Sequence, residues 1–142
     1  MKKYKVIILR GGHVPTQNKF FEKIKLLERI KYFEGIIIGV NAGSMNSAQI
    51  AYAQPEIRGE PVVPYFTRFL KGLNLTKFQI IPHYEVIKNK KFDGLRIIED
   101  ISYGDNKGKC FYVLPNGIYI YQTKNEVYLY DEAYNKNKFK LY

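Results

Sequence analysis

Gly39-Val40-Asn41-Ala42-Gly43 follows a short apolar run, Ile36-Ile37-Ile38, and leads into a stretch with helical character. Strand, G-x-n-x-G turn and helix together are the layout of a nucleophile elbow. Its central residue sits on a tight, strained turn, and glycines on either side avoid clashes there. The central side chain is thereby pushed out at the carboxyl end of a sheet, where amides at the start of the helix favour developing negative charge. Here the centre is Asn41. A carboxamide has no ionisable proton to lose and is a poor nucleophile at neutral pH, although asparagine tolerates unusual backbone angles better than most residues. On spacing alone, G-x-N-x-G is weak evidence. Ser44, three residues on, falls in the first helical turn and should not point where Asn41 points; it is the candidate for a substitute nucleophile.

His83 follows an apolar run and a proline, Gln79-Ile80-Ile81-Pro82, a good place for a side chain facing a cleft. Taken alone it reads equally as a hydrogen-bonded structural histidine. The other histidine is His13, and Cys110 is the sole cysteine. An intrachain disulfide and a cysteine-rich zinc site are thus excluded, and two histidines are too few for a convincing metal site. No metal and no cofactor are expected.

The elements that must position these residues begin with Val6-Ile7-Ile8-Leu9, which ends at Gly11-Gly12 and reads as a strand buried on both faces. Thr16-Gln17-Asn18 starts a helix that runs to about Tyr32. Phe20, Ile24, Leu27 and Ile30 form its buried stripe, broadened by Phe21 and Leu26. With Ile36–Ile38 as the next strand this is a right-handed βαβ unit. Met45 to Ala53 reads as a helix, Pro55, Pro61 and Pro64 as punctuating an irregular loop, Tyr65 to Leu70 as a short helix, and Gln79–Ile81 as a third strand. Cys110 to Leu114 and Ile118 to Gln122 flank Pro115-Asn116-Gly117, a strong hairpin signal. Val127 to Tyr130 and the Lys-rich tail supply further strands. Tyr112, Tyr119, Tyr121, Tyr128 and Tyr130 alternate, as cross-strand packing requires. The reading is one domain over 1–142, with a parallel α/β part over 1–100 and C-terminal β-strands over 101–142.

Composition is that of an ordinary globular chain: 142 residues, 46% apolar and 25% charged. No apolar run approaches the ~20 residues needed to span a bilayer, and no signal peptide is visible, so no membrane partner and a cytoplasmic location are expected. The net charge of +10 comes from scattered lysines, with only Lys88-Asn89-Lys90-Lys91 clustered. That distribution reads as a solvated surface and not as a nucleic-acid interface.

Four ordered motifs carry a resemblance. They are Gly11-Gly12-His13-Val14-Pro15-Thr16-Gln17-Asn18, Gly39 to Asn46, Tyr52-Ala53-Gln54-Pro55-Glu56, and Ile81-Pro82-His83-Tyr84. Together they resemble the dipeptidase E and cyanophycinase family of serine peptidases. The resemblance implies an α/β fold related to class I glutamine amidotransferases: a flavodoxin-like parallel sheet flanked by helices, with antiparallel C-terminal strands and a Ser-His-Asp/Glu triad. It puts Asn41 at the nucleophile, where the family reads G-x-S-A-G, and His83 at the general base. Glu60 is the first choice for the acid and Glu56 the second. Backbone amides at Gly12 and Ala42 would be the oxyanion donors. Measured against the family, the first strands of the sheet are missing, which should leave apolar surface exposed around Val6 to Leu9.

The resemblance implies a serine peptidase impaired or inactivated by Asn41, with a short peptide as possible ligand. The alternatives are an active peptidase or amidohydrolase on short acidic peptides that uses Ser44, and half of a split protein completed by another chain or a second copy. A basic nucleic-acid-binding module ranks last. Arg58 and Arg68 lie in the right loop region to meet an acidic peptide, though exposed surface explains them equally well.

Overall fold

The two apolar runs of the N-terminal third become neighbouring strands. In the computed structural model, which describes residues 4–131 and the backbone of 136–138, β1 (Val6–Leu9) pairs in parallel with β2 (Ile36–Gly39), in register from Val6 opposite Ile36 to Leu9 opposite Gly39. The connection is helical but divided. α1 (Val14–Lys23) carries Pro15 in its first turn, where the missing N–H costs nothing. α2 (Leu26–Ile30) begins after Lys25, whose φ of 52° breaks the helix. The break resets the helical phase, and the expected stripe is shifted accordingly. Phe21, Leu26 and Ile30 are buried with Leu9 and Leu73, whereas Phe20 and Leu27 are exposed.

The second expected helix, Met45 to Ala53, is largely absent. α3 (Ala42–Asn46) stops where Asn46 is drawn into the interior, its amide nitrogen donating to the carbonyl of Val14 (3.2 Å) and to Oε1 of Gln17 (3.1 Å). The Ser47 hydroxyl bonds back to the carbonyl of Gly43 at 2.7 Å, a contact that weakens a helix. The chain then becomes β3 (Ile50–Tyr52), antiparallel to β4 (Phe69–Lys71). That pairing also replaces the end of the short helix expected over Tyr65 to Leu70. β5 (Gln79–Ile81) forms as expected and is followed by α4 (Tyr84–Ile87). β6 (Lys91–Phe92) and β7 (Leu95–Arg96) turn back tightly at Asp93-Gly94, both at positive φ. A π-helical segment, Ile97–Ser102, continues into α5 (Tyr103–Asn106).

The expected hairpin around Pro115-Asn116-Gly117 does not form. β8 (Phe111–Val113) pairs in parallel with β5, and Tyr112 packs edge-on against Phe78 with ring centroids 4.9 Å apart. The Asn-Gly turn is present, with Gly117 at φ 77°, but it redirects the chain into a different sheet. There β9 (Tyr119–Gln122), β10 (Val127–Tyr130) and β11 (Lys136–Lys138) run antiparallel. Tyr119 stacks on Tyr130, and Tyr121 on Tyr128, at 5.1 and 6.4 Å, so four of the five alternating tyrosines pack across strands.

The chain is therefore α/β, with small parallel pairs, helices and antiparallel strands. Among the described residues, β1–β2 and β5–β8 are separate pairs and not parts of one flavodoxin-like sheet. One face of the first pair is bare: Val6, Ile8, Ile36 and Ile38 are 45%, 58%, 59% and 43% exposed, while Leu9 is buried. Among the described residues no helix is long and apolar enough to cross a membrane.

Candidate functional site

The turn after β2 has the geometry its glycines suggest. The amide of Gly43 donates to the carbonyl of Val40 at 2.9 Å, closing a four-residue turn. Asn41 sits at its first central position with φ 50° and ψ −116°. Those angles belong to a type II′ turn, a conformation that strongly favours glycine and is strained for anything else. The flanking glycines are required by close approach. A Cβ on Gly39 would fall 2.7 Å from the Cα of Ser44, and one on Gly43 only 2.0 Å from the carbonyl oxygen of Leu9. No side chain fits at either place.

The Asn41 carboxamide lies over the loop that follows β1: a Cβ on Gly11 would come within 3.1 Å of its Nδ2. Gly12, next in that loop, is exposed, and Ala42 is buried. At the head of α3 the amides of Ser44 and Met45 both bond to the Asn41 carbonyl, at 2.9 and 3.1 Å. The Ser44 hydroxyl donates to that same carbonyl at 2.6 Å, so its proton is engaged by the backbone of the turn.

His83 occupies the matching place after β5, and it too has positive φ (59°). Its Nδ1 lies 2.6 Å from Oδ1 of Asn116. An amide oxygen can only accept, so Nδ1 is the donor in this bond. Asn116 is fixed in turn by its own backbone N–H, which donates to Oε2 of Glu85 at 3.0 Å. Hydrogen bonds from backbone amides, that of Asn116 among them, hold the Glu85 carboxyl below the usual carboxylate range.

Asn41, Ser44, His83 and Asn116 line one cavity of about 720 Å³. The structure thus brings together the expected nucleophile and base positions, and Ser44 with them. It does not bring in the expected acids. Oε1 of Glu60 meets Nε2 of His13 at 2.6 Å, and Oε2 accepts from the amides of Glu56 and Ile57 at 2.8 and 3.2 Å. Neither Glu60 nor Glu56 lines the cavity. Burial, with a smaller push from the Glu60 charge, raises the pKa of Glu56, while His13 pulls it back. Arg68 is bound to Asp105 at 2.8 Å, Arg58 is exposed, and neither reaches the cavity. Asn116 was not singled out by sequence reasoning. Its Asn-Gly turn signal was visible, but nothing local linked it to a histidine 33 residues earlier.

No protein-family model matches the sequence, and no curated protein matches it. Its structure is similar to the crystal structure of a protein provisionally described as a peptidase E, from Listeria monocytogenes EGD-e, with a TM-score of 0.62. The fold is similar to that of this peptidase E protein. The match covers 98% of this chain at 16% identity, a likeness of backbone and not of side chains. The chain spans 62% of the length of that peptidase E protein.

Proposed function

We propose that this chain is a peptidase E-like serine hydrolase disarmed at its nucleophile, with a cleft that binds short peptides without cleaving them. The observation that carries the reading is the strained geometry of Asn41, at φ 50° and ψ −116°, in one cavity with His83. Strain of this kind persists where the surroundings over-determine it, and it concentrates at functional sites. Hydrolysis at this position needs a hydroxyl or thiol that a neighbouring base can deprotonate. Asn41 offers neither, and the Ser44 hydroxyl is bound to the turn. His83 would be the base, held by Asn116 in place of a carboxylate, and the amides of Gly12 and Ala42 would be the oxyanion donors. The finer family assignment, to dipeptidase E and cyanophycinase, belongs to this proposal and rests on the sequence motifs.

The test is the reversion Asn41→Ser, assayed on aspartyl dipeptides and with a fluorophosphonate probe beside the parent. Turnover and labelling in the revertant alone would support a disarmed site. Labelling of the parent that disappears on Ser44→Ala would sink the proposal.

A second reading, in which another polypeptide segment completes the sheet, is favoured by the bare face at Val6, Ile8, Ile36 and Ile38. Parallel strands are normally covered on both faces, and an apolar patch of this kind marks an interaction surface. A lone monomer with no tendency to self-associate or capture a second chain would count against it.

A further inference from the structure

The cavity beside Asn41 and His83 has walls made of strand edges. In a parallel pair, the N–H and C=O of one residue point to the same neighbour, and successive residues alternate sides. The amides of Ile36 and Val40 donate to the carbonyls of Lys5 and Leu9, at 2.9 and 2.8 Å. Ile36, Ile38 and Val40 therefore face β1, and Gly35, Ile37 and Gly39 face away from it. On β5 the same phase holds: the Ile81 carbonyl accepts from Leu114 at 2.9 Å, so Gln79 and Ile81 face β8, while Phe78, Ile80 and Pro82 face away. From these two segments the cavity is lined by Gly35, Ile37, Gly39 and Val40 on one side and Phe78, Ile80 and Pro82 on the other. Apart from Val40, at the end of the strand, these are the outward-facing sets. The cavity is bounded by the open edges of two strands that run the same way, since each ends at a residue of the site, Asn41 or His83.

Open edges present main-chain donors and acceptors to whatever lies beside them. By that phase, the amides of Ile37, Gly39 and Ile80 point away from the strands paired with β2 and β5. That of Phe78 is used by Thr76 Oγ1, and Pro82 has none. The remaining lining is mixed: Phe33, Leu75, Leu114 and Ile120 supply apolar walls, and Ser47, Thr76, Gln122 and Thr123 polar groups. Lys124 reaches it, and no acidic side chain does.

We infer that the cleft takes its ligand as an added β-strand: an extended peptide carrying a carboxylate, whose main chain bonds to the edges of β2 and β5. The inference rests on the peptide-binding reading above and specifies how that site is filled. Gly35 to Gly39 rises roughly 13 Å at about 3.3 Å per residue, room for about four or five residues of peptide. Main-chain bonds then supply affinity, alternate side chains meet the apolar walls, and the carboxylate answers Lys124.

The experiment uses the unmodified chain and a panel of capped, fluorescent pentapeptides of alternating Val and Thr with one Asp, read by polarisation. Two further series carry N-methyl groups on the odd or the even amides, which remove donors without touching side chains. Strand addition predicts a loss of at least about tenfold in affinity in both series. It also predicts slower hydrogen exchange at the amides of Ile37, Gly39 and Ile80 when the parent peptide binds. Asp→Asn in the peptide, or Lys124→Gln in the protein, should weaken binding and remove its salt dependence. If the peptides bind but neither methylated series loses affinity and those amides exchange as before, strand addition is wrong and the peptide-binding reading stands. If no peptide in the panel binds, that reading falls and this inference with it.

Discussion

Oε1 of Glu60 lies 2.6 Å from Nε2 of His13, 47 residues earlier in the chain, and the other oxygen of the same carboxylate accepts two backbone amides. Glu60 thereby fastens the loop after β3 to the loop after β1. Glu60→Gln keeps the shape but puts an NH2 donor either where Oε1 meets His13 or where Oε2 accepts two amides. Thermal or denaturant unfolding should show a loss of about 1–3 kcal/mol. In an Asn41→Ser background any restored turnover per folded molecule should change little. A thousandfold drop would mean that Glu60 serves His83 after all.

Glu56 sets a pH dependence. Its carboxyl has a raised pKa because it is buried, with the Glu60 charge adding to the effect. A folded-state pKa above the unfolded one means the folded chain holds its proton more tightly. The associated stability is present below the unfolded value near 4.5 and is lost as pH rises through the higher folded value. Unfolding temperature followed upward from pH 4 should carry a downward component that Glu56→Gln abolishes. An identical profile in the variant would rule out this origin.

The two elbow glycines should be intolerant, and a third should not be. Gly43→Ala puts a methyl group against the backbone of β1, and Gly39→Ala puts one against α3. Each should cost more than about 3 kcal/mol or prevent folding. At Gly104, in α5, an added methyl group would meet nothing within 4 Å. Gly104→Ala should be neutral or stabilising by up to about 1 kcal/mol. Chemical denaturation of the three variants checks all of this together.

The bare face of the β1–β2 pair should be replaceable. Ile8→Thr with Ile36→Thr removes apolar groups that are mostly in water, so stability should stay within about 0.5 kcal/mol. Binding of a dye specific for apolar surface, and any self-association seen in sedimentation, should both fall. A large loss of stability would show that the face is already covered in solution.

What was legible in the sequence was what close contacts dictate locally. Gly39 and Gly43 are glycines because backbone lies within 3 Å of where a side chain would begin, and that constraint is written in five consecutive residues. The strands Val6–Leu9, Ile36–Gly39 and Gln79–Ile81 could be read from apolar runs for the same reason. The partners of the ionisable groups could not. His83 finds Asn116 and Glu60 finds His13 through contacts between distant segments, and no spacing rule links them. The helix expected past Asn46 failed because a buried carboxamide was drawn to Val14 and Gln17 across 32 and 29 residues. The Asn-Gly turn at 116–117 was read correctly as a turn, but the strand before it had a stronger claim on β5 than on the strand after it.

The bend at Asn41 also bears on how readily this chain could change. Its two flanking glycines and its positive φ are the demanding parts of the motif, and both are in place. Every asparagine codon becomes a serine codon by a single A-to-G transition. A point mutation would therefore put a hydroxyl at the tip of a turn already shaped to hold it.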